Sequence, residues 1–252
     1  MIKIIYILWL QGFNNAPSVV KQCVQSWKYH NPDWQIVLLD KSNLIHYIRI
    51  NRYVPNIYKT SIRKSHISDI IRLILLKKYG GLWVDSTTFC NRPLNDWLPN
   101  YIKEGFFAFE KPTPKIDPNR LLSSWFLYSE RNNTIISKWL NRSIDLIYKK
   151  YHFLDKIDYY FLHNQFYELY KSDNDFRIEW DKVPKISAHG PHYLQKHMMR
   201  LITREIKMNI DNKVSPLYKL TYKCSFLPYD NKITIYYLYS TIRRSYQMKK
   251  CK

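Results

Sequence analysis

Apolar residues follow two patterns along this chain, continuous runs and stripes at helical spacing. Residues 3–10 form a continuous run rich in β-branched side chains, which is typical of a strand buried on both faces of a parallel sheet. Pro17 then lies in the first turn of a helix that runs to about Tyr29, and residues 34–39 form a second apolar strand. This strand–helix–strand order predicts an α/β fold with a right-handed crossover.

A helix that begins near Ser65 leads through a glycine pair into a third strand. Its apolar positions at helical spacing are Ile67, Ile70, Ile71, Ile74 and Leu75. Asp69 and Arg72 are three residues apart and lie opposite this stripe. A surface salt bridge would explain them, but Leu73 and Leu76 share their side, and a helix that is apolar nearly all round is buried. We therefore expect Asp69 and Arg72 to be buried for a functional reason.

The remaining elements are predicted from the same two patterns. Strands are expected over residues 82–84, 106–109 and 123–128, and helices over residues 42–50, 134–148, 158–170 and about 233–248. The pattern weakens between Trp180 and the last helix. We find no internal repeat and no low-complexity linker, and a chain of 252 residues fits one large domain. We therefore predict a single domain over residues 1–252, which ends in a helical segment.

The glycine pair and the strand after it suggest a ligand site. Gly80 and Gly81 are two of only five glycines, so the backbone there is expected to need positive φ or a very close approach. The strand ends at Asp85, which Ser86 and Thr87 follow. Open α/β sheets bind ligands at the carboxyl ends of their strands. Asp85 and the two hydroxyls could hold a ribose, or a hard cation that bridges to substrate phosphates.

Three further residues could contact the same ligand. Arg72 could hold a phosphate or a sugar hydroxyl, and Asp69 could accept hydrogen bonds from sugar hydroxyls or orient Arg72. Trp9 stands near the end of the first strand and could stack on a nucleobase. A lone tryptophan is more often a core residue, so this role for Trp9 needs support from its neighbours.

The charge of the chain is strongly positive, at +20. Residues 196–252 contain 13 Lys and Arg against 3 Asp and Glu, so half of the net charge lies in less than a quarter of the chain. Such a charge favours a polyanionic partner, either nucleic acid, an anionic membrane surface or a substrate that carries phosphates, unless the lysines are only solvated surface. A basic helical segment with many aromatics, about residues 196–252, suits an anionic bilayer surface.

Several other classes are poorly supported. The four cysteines, Cys23, Cys90, Cys224 and Cys251, are widely spaced, so neither a zinc motif nor a disulfide framework is expected, and a reducing cytoplasm is the default compartment. The apolar run at the N-terminus is too short for a signal peptide, and no run is long enough to span a membrane. The dinucleotide, Walker and nucleophile-elbow motifs are absent. No nucleic-acid-binding signature accompanies the charge, so we expect no nucleic acid as a partner.

The arrangement Asp69-x-x-Arg72, followed by Tyr79-Gly-Gly-Leu-Trp-Val-Asp85, resembles the sugar-binding region of glycosyltransferases with a DXD motif. These include the family 32 type and the large clostridial glucosylating toxins. The opening strand and the Ser26-Trp27 to Asp33 stretch match the same group. Pro191-His192 and the stretch from Lys219 to Lys223 resemble the capsular polysaccharide synthesis protein family. Each piece is weak alone, but the set is specific and covers nearly the whole chain.

This resemblance implies a GT-A fold, Rossmann-like and with a mixed central sheet, that binds a nucleotide-sugar, expected to be a UDP-sugar. By position, Trp9 matches a tryptophan that stacks on uracil, Asp69 and Arg72 match residues that contact the donor sugar, and Asp85 matches the first acid of DXD. The expected donor-binding residues are Trp9, Asp69, Arg72, Gly81, Asp85, Ser86, Thr87, His163, Lys219 and Lys223. The expected catalytic residues are Asp69, Asp85 and Asn164, the last as a candidate for the β-face of the sugar. The related families imply retention of the anomeric configuration.

The metal is a separate expectation, because Thr87 stands where the related motif has its second acid. Mn²⁺ or Mg²⁺ would then be held by Asp85 and Thr87, with His192 as a further ligand. The alternative is an enzyme less dependent on metal, in which Lys219, Lys223 and Arg72 neutralise the diphosphate.

These features lead to one hypothesis and two rivals. The hypothesis is a bacterial glycosyltransferase, peripherally bound to the inner face of the plasma membrane, that adds a sugar to a lipid-linked precursor of capsule or O-antigen. The first rival is a glycosyltransferase that modifies a protein, as an effector would. The second, suggested by charge alone, is a non-enzymatic nucleic-acid-binding protein.

Overall fold

The computed structural model describes residues 1–55, 62–111, 119–152, 157–225 and 227–250. The strands are β1 (Ile4–Leu8), β2 (Gln35–Leu39), β3 (Gly81–Val84), β4 (Thr88–Cys90), β5 (Phe106–Glu110), β6 (Leu122–Ser129) and β7 (Leu217–Lys219). The helices are α1 (Ser18–His30), α2 (Leu44–Tyr47), α3 (Lys64–Tyr79), α4 (Thr134–His152), α5 (Phe161–Ser172), α6 (Asn174–Lys182), α7 (His189–His192), α8 (Arg204–Asp211) and α9 (Thr234–Lys250). Short 3₁₀ turns cover Phe13–Asn15, Ile50–Arg52, Leu94–Asp96, Leu98–Asn100 and Tyr193–Lys196.

The central sheet has five strands in the order β2-β1-β3-β6-β5. Strand β1 is parallel to both β2 and β3, whereas β6 runs antiparallel to β3 and β5. The parallel half brings the carboxyl ends of β1, β2 and β3 to one edge, where ligands bind in open α/β sheets. Strand β4 follows β3 along the chain and pairs with β7 in a separate two-stranded antiparallel sheet. The predicted α/β class with a mixed central sheet is confirmed.

The core forms on both faces of the sheet. On one face, α3 contributes Ile70, Ile74 and other residues to a cluster that includes Trp83 of β3 and Trp139 of α4. On the other face, Trp27 of α1 packs with the strand residues that alternate along each strand with those of the first cluster. This division follows from the alternation of side chains along each strand.

The C-terminal segment packs on α1 rather than standing apart. Side chains from α8 and α9, among them Ile206 and Leu238, form a third cluster with Val19 and Val20 of α1. The expected helical C-terminal region is therefore present and joined to the sheet domain. Residues 226, 251 and 252 of the predicted basic segment lie outside the described residues, as does Cys251. No described helix is both long and apolar enough to cross a membrane.

Most predicted elements are found within a few residues of their expected bounds. The main exception is the helix expected over residues 42–50. Helix α2 is only Leu44–Tyr47, because Ile48 takes an extended conformation and a 3₁₀ turn follows. Strands β4 and β7 were not predicted, since three residues are too few to show a period.

Candidate active site

The glycine pair joins α3 to β3 in a way that other residues would resist. Gly80 has φ of +70° and Gly81 has φ of +102°. A Cβ on Gly81 would lie 2.7 Å from the carbonyl oxygen of Ile4, and one on Gly80 would lie 2.8 Å from the backbone nitrogen of Arg131. The pair therefore lets α3 end directly beside β1, so that Asp69 and Arg72 on the helix lie next to Asp85 at the end of β3.

Arg72 is buried at the centre of the site, as its position on α3 predicted. Its Nη2 is 2.9 Å from Asp69 Oδ1 and 3.5 Å from Asp85 Oδ1. Its Nη1 donates a 2.7 Å hydrogen bond to the carbonyl oxygen of Ser124 on β6. A guanidinium presents donors in a fixed fork, so Arg72 can hold both carboxylates and the sheet at once.

Trp83 adds a second fixed contact beneath the charges. The Arg72 guanidinium lies over its ring, 5.1 Å from the ring centroid. The indole Nε1 donates a 3.1 Å hydrogen bond to Asp85 Oδ1. The same side chain therefore positions the guanidinium by a cation–π contact and the carboxylate by a hydrogen bond.

Lys219 reaches the site from a distant part of the chain. Strand β7 pairs with β4 so that Lys219 lies opposite Thr88, and Leu220 N–H donates to the carbonyl oxygen of Thr87. This register places Lys219 Nζ 3.0 Å from Asp85 Oδ2 and 2.7 Å from Thr87 Oγ1.

The two carboxylates differ in their ease of protonation. Burial raises the pKa of Asp69 to about 6, although the Arg72 guanidinium opposes the change. Burial would also raise the pKa of Asp85, but Lys219 and Arg72 outweigh it and hold that pKa below its usual range. At neutral pH Asp85 is therefore the firmly ionised member, whereas Asp69 titrates close to the working range of an enzyme.

Two cavities meet at the charged side chains of Arg72, Asp85 and Lys219. The first, of about 310 Å³, lies at the end of β1 and is lined by Trp9, Ser86, Thr87, Tyr222, Lys223 and neighbouring residues. The second, of about 220 Å³, is lined by Asp69, Trp125, Tyr160, His163, His192 and others. Arg72, Asp85 and Lys219 line both. In the first cavity the Trp9 ring meets Tyr222 edge to face at 5.2 Å.

The structure thus brings together most of the predicted site residues. Gly81 acts through the backbone and lines neither cavity. Asn164 also lines neither, whereas its neighbour His163 lines the second. Consecutive positions on α5 are about 100° apart around the helix, so these two side chains point in different directions.

His163 is a half-buried side chain. Burial and the nearby Arg120 lower the pKa of its imidazole to about 3. Within the described residues, its Nδ1 is buried and has no hydrogen-bond partner. Buried polar atoms normally have a hydrogen-bond partner, so this nitrogen makes His163 a residue to test by mutation.

Some lining residues were missed by sequence reasoning. Ser65 and Ser68 precede Asp69 and Arg72 at helical spacing, and that spacing could have found them. Trp125 and the carbonyl of Ser124 come from β6, a strand whose place beside β3 depends on a long connection. Sequence spacing carries no signal for contacts of that kind.

The residues expected to bind a divalent cation fit one poorly. Lys219 Nζ contacts both Asp85 and Thr87, so an ammonium takes the two oxygens that a cation would need. His192 lines the second cavity, and its Nδ1 lies 3.1 Å from Gln195 Oε1, so this ring nitrogen already has a partner. No group of three or more His, Cys, Asp or Glu side chains among the described residues could hold a metal ion.

Comparisons with known proteins place this chain in a family. The family model described as "Capsular polysaccharide synthesis protein" matches residues 1–239. Over about half of the chain, it is 27% identical to the O-glycosyltransferase braB of Annulohypoxylon truncatum and 25% identical to the glycosyltransferase afumC of Aspergillus fumigatus. The matches span 55% and 54% of this chain, and 36% and 38% of these longer relatives.

Two solved structures also align with this chain. PaToxG glycosyltransferase aligns with a TM-score of 0.46 and 17% identity over 68% of each chain. The apo form of glycosyltransferase GlyE from Streptococcus pneumoniae TIGR4 aligns with a TM-score of 0.49 and 11% identity, over 99% of this chain and 64% of that one. Because the family model covers nearly the whole sequence, this chain belongs to the capsular polysaccharide synthesis protein family.

Proposed function

We propose that this chain is a glycosyltransferase that moves a sugar from a UDP-sugar to a growing bacterial surface polysaccharide. The observation that carries the proposal is the meeting of two cavities at Arg72, Asp85 and Lys219. One cavity suits a nucleoside diphosphate and the other suits a sugar, so the bond between diphosphate and sugar would lie at the charged cluster. The family membership and the names of the curated relatives support the same activity.

The first cavity has the chemistry of a nucleotide site. Trp9 and Tyr222 offer aromatic rings to a base. Among the described residues that line the cavity, the charged side chains are Lys64, Arg72, Lys219 and Lys223 against Asp85. This surplus of positive charge complements a diphosphate, and it also stabilises the charge that develops when the diphosphate departs.

The second cavity has the chemistry of a sugar site. Asp69 can accept hydrogen bonds from hydroxyls, and the His163 imidazole lines the same cavity. Trp125 and Tyr160 supply aromatic faces, which suit the apolar face of a pyranose. A few convergent polar groups among aromatics are the usual composition of a small-molecule site.

The proposed acceptor is a lipid-linked glycan at the inner face of the plasma membrane. The family description supports a polysaccharide product, and the basic residues 196–252 support attraction to an anionic surface. The proposed outcome at the anomeric carbon is retention. NMR of the product would show whether the anomeric proton keeps the donor's configuration.

A thermal-shift screen with UDP-, GDP- and CMP-sugars tests the donor, because a ligand that binds only the folded state raises Tm. We expect UDP-sugars to raise Tm and the other two classes to leave it unchanged. Asp85→Ala should keep its fold by circular dichroism and lose sugar transfer. A chain that binds no nucleotide-sugar, or an Asp85→Ala variant with the activity of the original chain, would contradict the proposal.

A further inference from the structure

The Lys219 ammonium occupies the place in this site where a divalent cation would be expected. It lies 3.0 Å from Asp85 Oδ2 and 2.7 Å from Thr87 Oγ1. These are hydrogen-bond distances, and the lysine side chain is only 16% exposed. The two oxygens belong to the positions that carry the acids of a DXD motif, so the ammonium is held by the residues that would otherwise hold the metal.

The second oxygen of Asp85 is also engaged. Its Oδ1 accepts from Trp83 Nε1 at 3.1 Å and faces Arg72 Nη2 at 3.5 Å. The carboxylate is therefore compensated by a fixed cation on each side. A divalent cation at Asp85 would have to displace Lys219 and would gain from Thr87 a neutral hydroxyl in place of an acid, although hard cations favour several charged oxygens.

The position of Lys219 is fixed by the backbone rather than by its side chain alone. Strand β7 pairs with β4, with Lys219 opposite Thr88. Leu220 N–H donates a 2.8 Å hydrogen bond to the Thr87 carbonyl oxygen. Both neighbours of the lysine, Tyr218 and Leu220, are buried. The ammonium is thus held in place before any substrate binds, which is what electrostatic stabilisation of a transition state requires.

One donor of Lys219 is left for a ligand. An ammonium has three N–H donors, and Asp85 and Thr87 engage two of them among the described residues. The Lys219 side chain lines both cavities. The third donor can therefore reach a phosphate oxygen at the junction, where the bond to the sugar would break.

We propose that Lys219 does the work of the divalent cation, so that this chain binds its donor and transfers the sugar without metal. The inference rests on the proposed function. In the reaction the bond between the sugar C1 and the diphosphate oxygen breaks, and its electron pair stays on that oxygen. A new bond forms between C1 and the acceptor oxygen, and the acceptor's hydroxyl proton leaves to solvent. Lys219 stabilises the added negative charge on the departing diphosphate, and Lys223 supports it.

The test is titration calorimetry of UDP with the full chain, in excess EDTA and in Mn²⁺. We expect the affinity for UDP to agree within about twofold in the two conditions, because fixed ammonium groups do not depend on added metal. Lys219→Ala should weaken UDP binding by about tenfold to a hundredfold, the range for the loss of one charge-assisted hydrogen bond. Lys223→Ala is the matched control: it removes a lysine of the same cavity and should weaken binding while leaving it indifferent to Mn²⁺.

A double variant sharpens the test. Thr87→Asp with Lys219→Ala restores two acids and removes the ammonium, so UDP binding should become dependent on Mn²⁺. Electron paramagnetic resonance should then show Mn²⁺ bound to this variant and not to the original chain. If the original chain binds UDP or transfers sugar only with Mn²⁺, the proposed role of Lys219 is wrong, whereas the proposed function still stands. Failure to bind any nucleotide-sugar in either condition would overturn both.

Discussion

Asp69 combines burial with a direct ion pair, and this combination makes its protonation sensitive to pH near neutrality. Burial raises its pKa from 3.8 to about 6. The folded state therefore favours the protonated carboxyl. The contribution of this group to folding stability is present in full below pH 3.8 and is lost as the pH rises through about 6.

The same titration predicts a pH dependence of donor use. Only the ionised carboxylate of Asp69 accepts hydrogen bonds with both oxygens, so we expect KM for the donor sugar to fall as the pH rises through about 6. Asp69→Asn should raise KM and remove this dependence. Initial rates across that pH range measure it, with Asp33→Asn, an exposed carboxylate paired with Lys3, as the control. An unchanged pH profile in Asp69→Asn would assign the titration to another group.

His163 and Asn164 offer a comparison between adjacent residues. His163 lines the second cavity with an orphaned ring nitrogen, whereas Asn164 lines neither cavity. We expect His163→Ala to raise KM for the donor sugar by about tenfold, the scale of one lost hydrogen bond. Asn164→Ala should change it by less than about twofold, well within the effect of one hydrogen bond. Steady-state kinetics on both variants measure the difference, and the reverse order would restore Asn164 as the site residue expected from sequence.

At the scale of elements, the joint between α3 and β3 determines the geometry of the site. Gly81→Ala would force a side chain into φ of +102° and bring Cβ to 2.7 Å from the Ile4 carbonyl oxygen. We expect the free energy of unfolding to fall by about 2–4 kcal/mol, from backbone strain and overpacking together. Gly12→Ala is the control, because Gly12 has φ of +84° but no neighbouring atom within 4 Å of the place where a Cβ would lie.

In the Gly12→Ala control, the free energy of unfolding should fall only by the cost of positive φ, about 1 kcal/mol. Denaturant unfolding measures both variants, and a shift of the midpoint at constant slope reports stability alone. Equal losses in the two variants would mean that the close approach to β1 contributes nothing beyond the cost of positive φ.

The pairing of β4 with β7 shows which elements were hard to predict. The long helices and the apolar strands of the central sheet have a clear period, so their types and approximate bounds could be read from the sequence. Each strand of the small sheet has three residues, and they lie more than a hundred residues apart along the chain. Such a pair is stabilised by tertiary contacts, and it is this pair that brings Lys219 to Asp85.

At the scale of the whole molecule, the net charge of +20 predicts association with anionic surfaces. We expect the chain to sediment with vesicles that contain anionic lipid and to be released as the salt concentration rises. Replacement of Arg243, Arg244, Lys249 and Lys250 by glutamine should weaken this binding, at about 1 kcal/mol for each charge near the surface.

A matched variant separates the C-terminal charges from the general charge. Replacing Lys21, Lys28, Lys171 and Lys182 removes the same number of positive charges at exposed positions elsewhere. This variant should keep most of its vesicle binding. An equal loss of vesicle binding in the two variants would show that net charge alone attracts the chain. If the original chain does not sediment with vesicles, membrane association is contradicted.

The amino-acid pattern alone is enough to predict the α/β class, the position of Asp69 and Arg72 on a buried helix, and the place of Asp85 at a strand end. These features are local, since they follow from the period of apolar residues and from a glycine pair. The folded arrangement was needed to show that Lys219 contacts Asp85 and Thr87, and that His163 rather than Asn164 lines the cavity. The reason is physical: the first contact depends on strand register between distant segments, and the second on the rotation of α5 against its neighbours.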